Sequence, residues 1–226
     1  MAVEIPIVRP GEVEIVLFDL DGTISDSAPG ILASLRIAFD ELGLPPLDAA
    51  TERSILGPPF RESMPPLVGA DRVEEVVDRY RLHYGTNEGM LLTSAYDGIG
   101  DLLERLKMAG KRIGLATSKA EFFAPKILTH LGFAEYFEVI CGDDLDGNRG
   151  SKSLVVGEAL ARFGNPAPGG VRMIGDRRHD VIGAAEQGLT TLGAGWGYGA
   201  PGELETAGAL VVVEHPAQLD PYLGLS

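Results

Sequence analysis

The chain has 226 residues, enough for one large domain or one domain with a sizeable insert, and its 45% hydrophobic content supports a packed core rather than disorder. A formal charge of -14 with scattered lysines and arginines excludes a nucleic-acid polymer as partner, while a small phosphorylated ligand needs only a few local cations or a metal. No apolar stretch approaches the ~20 residues of a membrane-spanning helix, Met1 to Pro10 lacks the pattern of a secretory signal, and the single Cys141 forms no internal disulfide, so a cytoplasmic protein without a membrane partner is expected.

In chain order, the apolar run of Glu14 to Phe18 predicts a first strand, and a helix follows from about Ala28, with Ser27 as its cap and Pro29 in its first turn. Ile31, Leu32, Leu35, Ala38, Phe39 and Leu42 make one helical stripe that stops at Gly43. From there to about Ser94 no strand is expected; Arg72 to Tyr84 reads as a helix, and the pairs Pro58-Pro59 and Pro65-Pro66 interrupt the segment before it. After Tyr96-Asp97-Gly98 helix and strand alternate. Helices are predicted from Ile99 through Leu102, Leu103 and Leu106 to an end at Gly110, and over Glu121 to Leu131, Ser153 to Phe163 and His179 to Gln187. Strands are predicted at Arg112 to Ala116, Phe137 to Cys141, Val171 to Ile174, Thr190 to Leu192 and Leu210 to Val213. Such alternation implies an α/β fold with a parallel sheet between helical layers. Residues 1–27 and 95–226 form one discontinuous α/β unit in this reading, and residues 28–94 a helical insert.

Ligands in open parallel sheets bind beyond the carboxyl ends of the strands, so the residues that follow each strand are the candidates. Asp19-Leu20-Asp21-Gly22-Thr23 follows the first strand, Thr117-Ser118-Lys119 follows the second, and Gly175-Asp176 follows Val171 to Ile174. Two carboxylates beside an apolar strand cost free energy unless a metal or hydrogen-bond donors compensate them. Taken singly, each has an ordinary reading as a turn, a strand end or a helix cap; it is the set that points to a site. His83, His130, His179 and His215 show no metal-ligand spacing, and Cys141 reads as a core thiol.

In these motifs and their order the chain resembles the haloacid dehalogenase superfamily, and within it the phosphatases with a helical cap. The likeness covers most of the chain: Asp19 to Thr23 looks like the first motif, Thr117 the second, and Gly175-Asp176-Arg177-Arg178-His179-Asp180 the fourth. It implies a Rossmann-like parallel-sheet core with an inserted α-helical cap domain over residues 28–94. It further implies Mg2+ held by Asp19, the backbone carbonyl of Asp21, Asp176 and Asp180, and catalysis by Asp19 as nucleophile and Asp21 as acid and base. Thr117 and the backbone N–H of Ser118 would hold the phosphoryl oxygens, with Thr23 and Lys119 also at the substrate. A charge-balancing lysine is expected at Lys152, with Lys119 and Arg149 as rivals because Ser153 stands where many relatives have proline.

By the same resemblance, Asp21 favours phosphate-ester hydrolysis, since dehalogenases and phosphonatases lack an acid at that position. A magnesium-dependent phosphomonoester hydrolase for a small phosphorylated metabolite, phosphoglycolate or a nucleoside 5′-monophosphate, follows as the expectation, as a monomer or homodimer. A sugar-phosphate mutase and a silent binding scaffold are the alternatives. Specificity is expected in Ile55 to Arg61, where Phe60 and Arg61 either face the substrate or form a turn between helices. Asp144-Leu145-Asp146-Gly147 leans towards the 5′-nucleotidase-like branch, while Trp196 and Tyr198 are read as packing the edge of the core.

Overall fold

The computed structural model describes residues 11–86, 89–144 and 149–225. Its first half contains β1 (Ile15–Phe18), β2 (Ser25–Asp26), α1 (Ala28–Glu41), α2 (Ala49–Ser54), α3 (Phe60–Ser63), α4 (Pro65–Val68), α5 (Val73–Thr86) and β3 (Ser94–Ala95). There follow α6 (Ile99–Met108), β4 (Arg112–Ala120), α7 (Ala124–His130), β5 (Val139–Asp143), α8 (Lys152–Arg162), β6 (Val171–Gly175) and α9 (Arg178–Glu186). β7 (Thr190–Ala194), α10 (Glu203–Ala207), β8 (Val211–Val213) and α11 (Asp220–Leu223) complete the order.

β1 is buried at every position because it lies in the middle of a parallel six-stranded sheet of order β5-β4-β1-β6-β7-β8. Alternate side chains of β1 serve two separate cores. Val16 and Phe18 join Ile113, Leu115 and Ile174 against one helical layer, whereas Ile15 and Leu17 pack with Val155, Ala159 and Ala184 from α8 and α9 on the other face. A strand covered on both faces reads as a continuous apolar run, which is why Ile15 to Phe18 carries no polar residue. Among the described residues no helix is long and apolar enough to cross a membrane.

Four expectations are corrected. The strand expected at Phe137 to Cys141 lies two residues further on and brings Gly142 and Asp143 into the sheet, paired through Ala120 and Asp143. β4 continues beyond Ala116 to Ala120 through a register shift, so Thr117 sits inside an irregular strand rather than after it. A two-stranded antiparallel ribbon, β2 with β3, joins the two ends of the helical segment; two residues per strand are too few to leave an alternation in the sequence. Finally, Ser27 precedes α1 but its side chain makes no capping bond; the hydroxyl of Tyr198 accepts from the backbone N–H groups of Ser27 (2.8 Å) and Ala28 (2.9 Å) instead. Residues 145–147 of the Asp144 to Gly147 similarity lie outside the described residues.

Candidate active site at the carboxyl edge of the sheet

β1, β4 and β6 are neighbours, so the carboxyl ends of β1 and β6 and the irregular stretch of β4 bring Asp19, Asp176 and Thr117 to one edge. Asp19, Asp176 and Asp180 are almost fully buried and hold carboxylate oxygens within 4.8 Å of one another. Lys152, at the start of α8, reaches across to them: its Nζ lies 2.6 Å from Asp19 Oδ1 and 2.7 Å from Asp180 Oδ1, and donates to the Ala116 carbonyl at 2.8 Å. Of the three rival cations, Lys152 is therefore the one that meets Asp19. Arg149 pairs with Glu121 at 3.1 Å, and Lys119 pairs with Asp21 at 2.8 Å while lying over the Tyr84 ring.

The loop after β1 turns tightly where it meets Asp176. Gly22 has φ +88°, and a Cβ there would fall 2.2 Å from Asp176 Oδ2, so both conformation and space require glycine. Thr23, expected at the substrate, is instead fully buried and donates to Asp176 Oδ1 at 3.0 Å, which positions the carboxylate rather than a ligand. The backbone N–H of Tyr198 donates to Asp176 Oδ2 at 2.8 Å, and Gly197 packs so closely that a Cβ would meet Asp176 Cβ at 2.3 Å. Asp180 is fixed by the Arg177 backbone N–H, which donates to its Oδ2 at 3.0 Å.

Three carboxylates against one ammonium leave two negative charges uncompensated in a buried cluster. Burial is the main cause that pushes the Asp19 pKa up to about 6, with Lys152 opposing and Asp180 adding to it. Burial likewise raises Asp176 well above the ordinary carboxylate value, followed by the charges of Asp180 and Asp19. Burial opposes the charged form of Lys152, but Asp180 and Asp19 together raise its pKa above the usual lysine value. An all-oxygen set short of two positive charges fits a divalent cation such as Mg2+.

Asp21 differs from Asp19. It is half-buried in the lining of a cavity of about 390 Å3, and its Oδ1 has no hydrogen-bond partner among the described residues. Ser118, Lys119, Phe60 and Arg61 line the same cavity, and the Arg61 guanidinium bonds to Glu74 at 2.6 and 2.7 Å. Thr117 is buried behind Ser118, and its hydroxyl accepts from the Lys119 N–H at 3.2 Å. Such an edge offers a carboxylate to attack, a second with a free oxygen to carry a proton, and cations between them.

The family model described as haloacid dehalogenase-like hydrolase matches residues 16–194. The chain belongs to this family. Among curated relatives, tyrosine-protein kinase PtkA of Mycobacterium tuberculosis is 43% identical over 212 residues, covering 93% of this chain and 72% of that protein. A 5′-nucleotidase of Pseudomonas aeruginosa is 37% identical over 84% of this chain and 86% of its own length. A phosphoglycolate phosphatase of Xanthomonas campestris is 35% identical over 90% and 93%. Among solved structures, a predicted phosphatase from Clostridium acetobutylicum superposes with TM-score 0.88 at 35% identity, covering 93% of this chain and 98% of that one. In this haloacid dehalogenase-like hydrolase two residues at the site escaped the sequence reading, Asp143 and Tyr198. The first was hidden by the shifted strand; the second had a signal in the spacing of Gly195, Gly197 and Gly199, which lets the backbone press against Asp176 and Glu214.

Proposed function

We propose that this hydrolase is a magnesium-dependent phosphomonoesterase for a small phosphorylated metabolite, phosphoglycolate or a nucleoside 5′-monophosphate, working through an aspartyl-phosphate. The observation that carries the reading is the pairing of Asp19, held by Lys152 at 2.6 Å, with Asp21, which lines the cavity and whose Oδ1 has no hydrogen-bond partner among the described residues. Asp19 attacks phosphorus and the bond to the leaving oxygen breaks; Asp21 gives that oxygen its proton. In the second half Asp21 takes a proton from water, which attacks the aspartyl-phosphate, releases phosphate and restores Asp19. Lys152, Thr117 and the Ser118 N–H stabilise the charge that gathers on the phosphoryl oxygens. Mg2+, held by Asp19, the Asp21 carbonyl and Asp176 with Asp180 in support, would neutralise the approach of a carboxylate to an anionic ester. The helical segment 28–94 acts as a cap that covers the reacting atoms and supplies the contacts that choose the leaving group.

Hydrolysis of p-nitrophenyl phosphate with Mg2+, with chelator, and by Asp19→Asn tests this. Removal of the metal or the nucleophile is expected to lower kcat/KM by about a thousandfold or more; an Asp19→Asn enzyme of near-normal rate ends the reading. The relative named as a tyrosine kinase supports a second reading, in which a tyrosine hydroxyl instead of water meets the phosphoryl group. Incubation with ATP and a tyrosine peptide separates the two: phosphotyrosine formation faster than phosphate release favours transfer.

A further inference from the structure

Asp143, the last residue of β5, lines the same cavity as Asp21, Ser118 and Lys119, and only 9% of it is exposed. Its Oδ1 has no hydrogen-bond partner among the described residues. Burial, then the charge of Asp144, raises its pKa; backbone N–H groups of Asp144 and Arg149 and the charge of Arg61 work the other way. Among the described residues no ion pair to Asp143 forms: of the cations that line the cavity with it, Arg61 is bonded to Glu74 and Lys119 to Asp21. A buried carboxylate oxygen left in this state is costly unless something else brings it a donor.

The rest of the cavity indicates what that donor belongs to. Phe60 meets the Tyr80 ring edge-on with centroids 4.6 Å apart, and Tyr80 stacks on Tyr84 at 5.2 Å with 25° between the planes. Phe60, Tyr80 and Phe123 line the cavity together with Ile31, Ile55 and Val77, the apolar part of a lining that also holds Arg61, Glu62, Arg81, Lys119 and Asp143. A lining of this kind takes a flat ring. A glycolate leaving group has no ring, whereas a nucleoside has a base to lay on the aromatic side chains and hydroxyl or amino groups to donate.

We propose that Asp143 is a specificity-determining residue whose Oδ1 accepts a hydrogen bond from a hydroxyl or amino group of a ring-bearing leaving group, so that nucleoside 5′-monophosphates are preferred to phosphoglycolate. The proposal rests on the phosphomonoesterase reading, and its test is arranged so that the two fail separately. The kcat/KM values for adenosine 5′-monophosphate, phosphoglycolate and phenyl phosphate are compared in the wild type, Asp143→Ala and Asp143→Asn. In the wild type the nucleotide leads. Its ratio to phenyl phosphate, which has a ring and no donor, falls at least about tenfold in Asp143→Ala and less in Asp143→Asn, which retains an acceptor oxygen. An unchanged ratio, or phosphoglycolate ahead of the nucleotide in the wild type, overturns the proposal. Calorimetric binding of adenosine 5′-monophosphate to Asp19→Asn, with and without Asp143→Ala, gives a readout free of turnover. Asp143-dependent binding without hydrolysis of any ester removes the phosphatase reading and keeps Asp143 as a ligand contact. Hydrolysis of phenyl phosphate without nucleotide cleavage or binding does the reverse.

Discussion

At the residue scale, Lys152 and the three buried aspartates around it hold more negative than positive charge. A carboxyl whose pKa is raised in the folded state, as in Asp19 from 3.8 to about 6, stabilises the fold fully below its unfolded pKa and loses that contribution as pH rises through about 6. Metal-free protein is therefore expected to lose stability on this account between about pH 4 and 6, and Mg2+ to raise Tm more at about pH 7.5 than at about pH 5. Scanning calorimetry with and without Mg2+ at the two pH values checks this, and equal increments would contradict it. Lys152→Ala strands the carboxylates without their cation and is expected to cost about 3–5 kcal/mol in urea unfolding of the metal-free protein. Lys152→Arg, although charged, is expected to stay poorly active because a planar fork does not replace an ammonium that meets Asp19, Asp180 and the Ala116 carbonyl at once.

At the scale of elements, the glycine-rich turn after β7 links two features that are far apart in sequence. Tyr198 gives its backbone N–H to Asp176, while its hydroxyl accepts from the first amides of α1 and donates to Asp26 Oδ1 at 2.9 Å. Trp196 Nε1 donates to the Thr23 carbonyl at 3.0 Å, so the turn also holds the loop that carries Asp21. Tyr198→Phe leaves the start of α1 without its cap and is expected to cost about 1–2 kcal/mol by denaturant titration. Gly197→Ala is expected to act on Asp176 more than on overall stability, because its Cβ would collide with that side chain and with the Gly22 carbonyl at 2.3 Å. A raised Mg2+ concentration for half-maximal activity, with little change in Tm, is the outcome that supports this.

At the scale of the molecule, polar contacts join the helical segment to the helices beside the sheet, His179 to Glu62 at 3.2 Å among them. Arg177, beside Asp176, donates to the Leu56 carbonyl in the helical segment and to Glu203 at 2.9 Å, with only 11% and 13% of the two charged side chains exposed. Arg177→Gln is expected to loosen this seam, speeding amide exchange in α2 and α3 and, on the proposed function, raising KM more than it lowers kcat. The parallel sheet, its order of elements and most of the site were legible in the sequence because buried parallel strands are short apolar runs and the chemistry-bearing residues follow them directly. Asp19, Asp21 and Asp176 needed no contact information to be singled out: charges placed at the end of an apolar run are conspicuous in one dimension. Only the tertiary structure decided between Lys152, Lys119 and Arg149, because three cations at similar sequence positions differ only in which carboxylate their side chains reach. It also turned Thr23 to Asp176, gave α1 a cap from Tyr198, and moved β5 far enough to bring Asp143 into the cavity. Those outcomes depend on packing and strand register, and neither the spacing of residues nor their hydrophobic periodicity encodes which partner arrives from elsewhere in the chain.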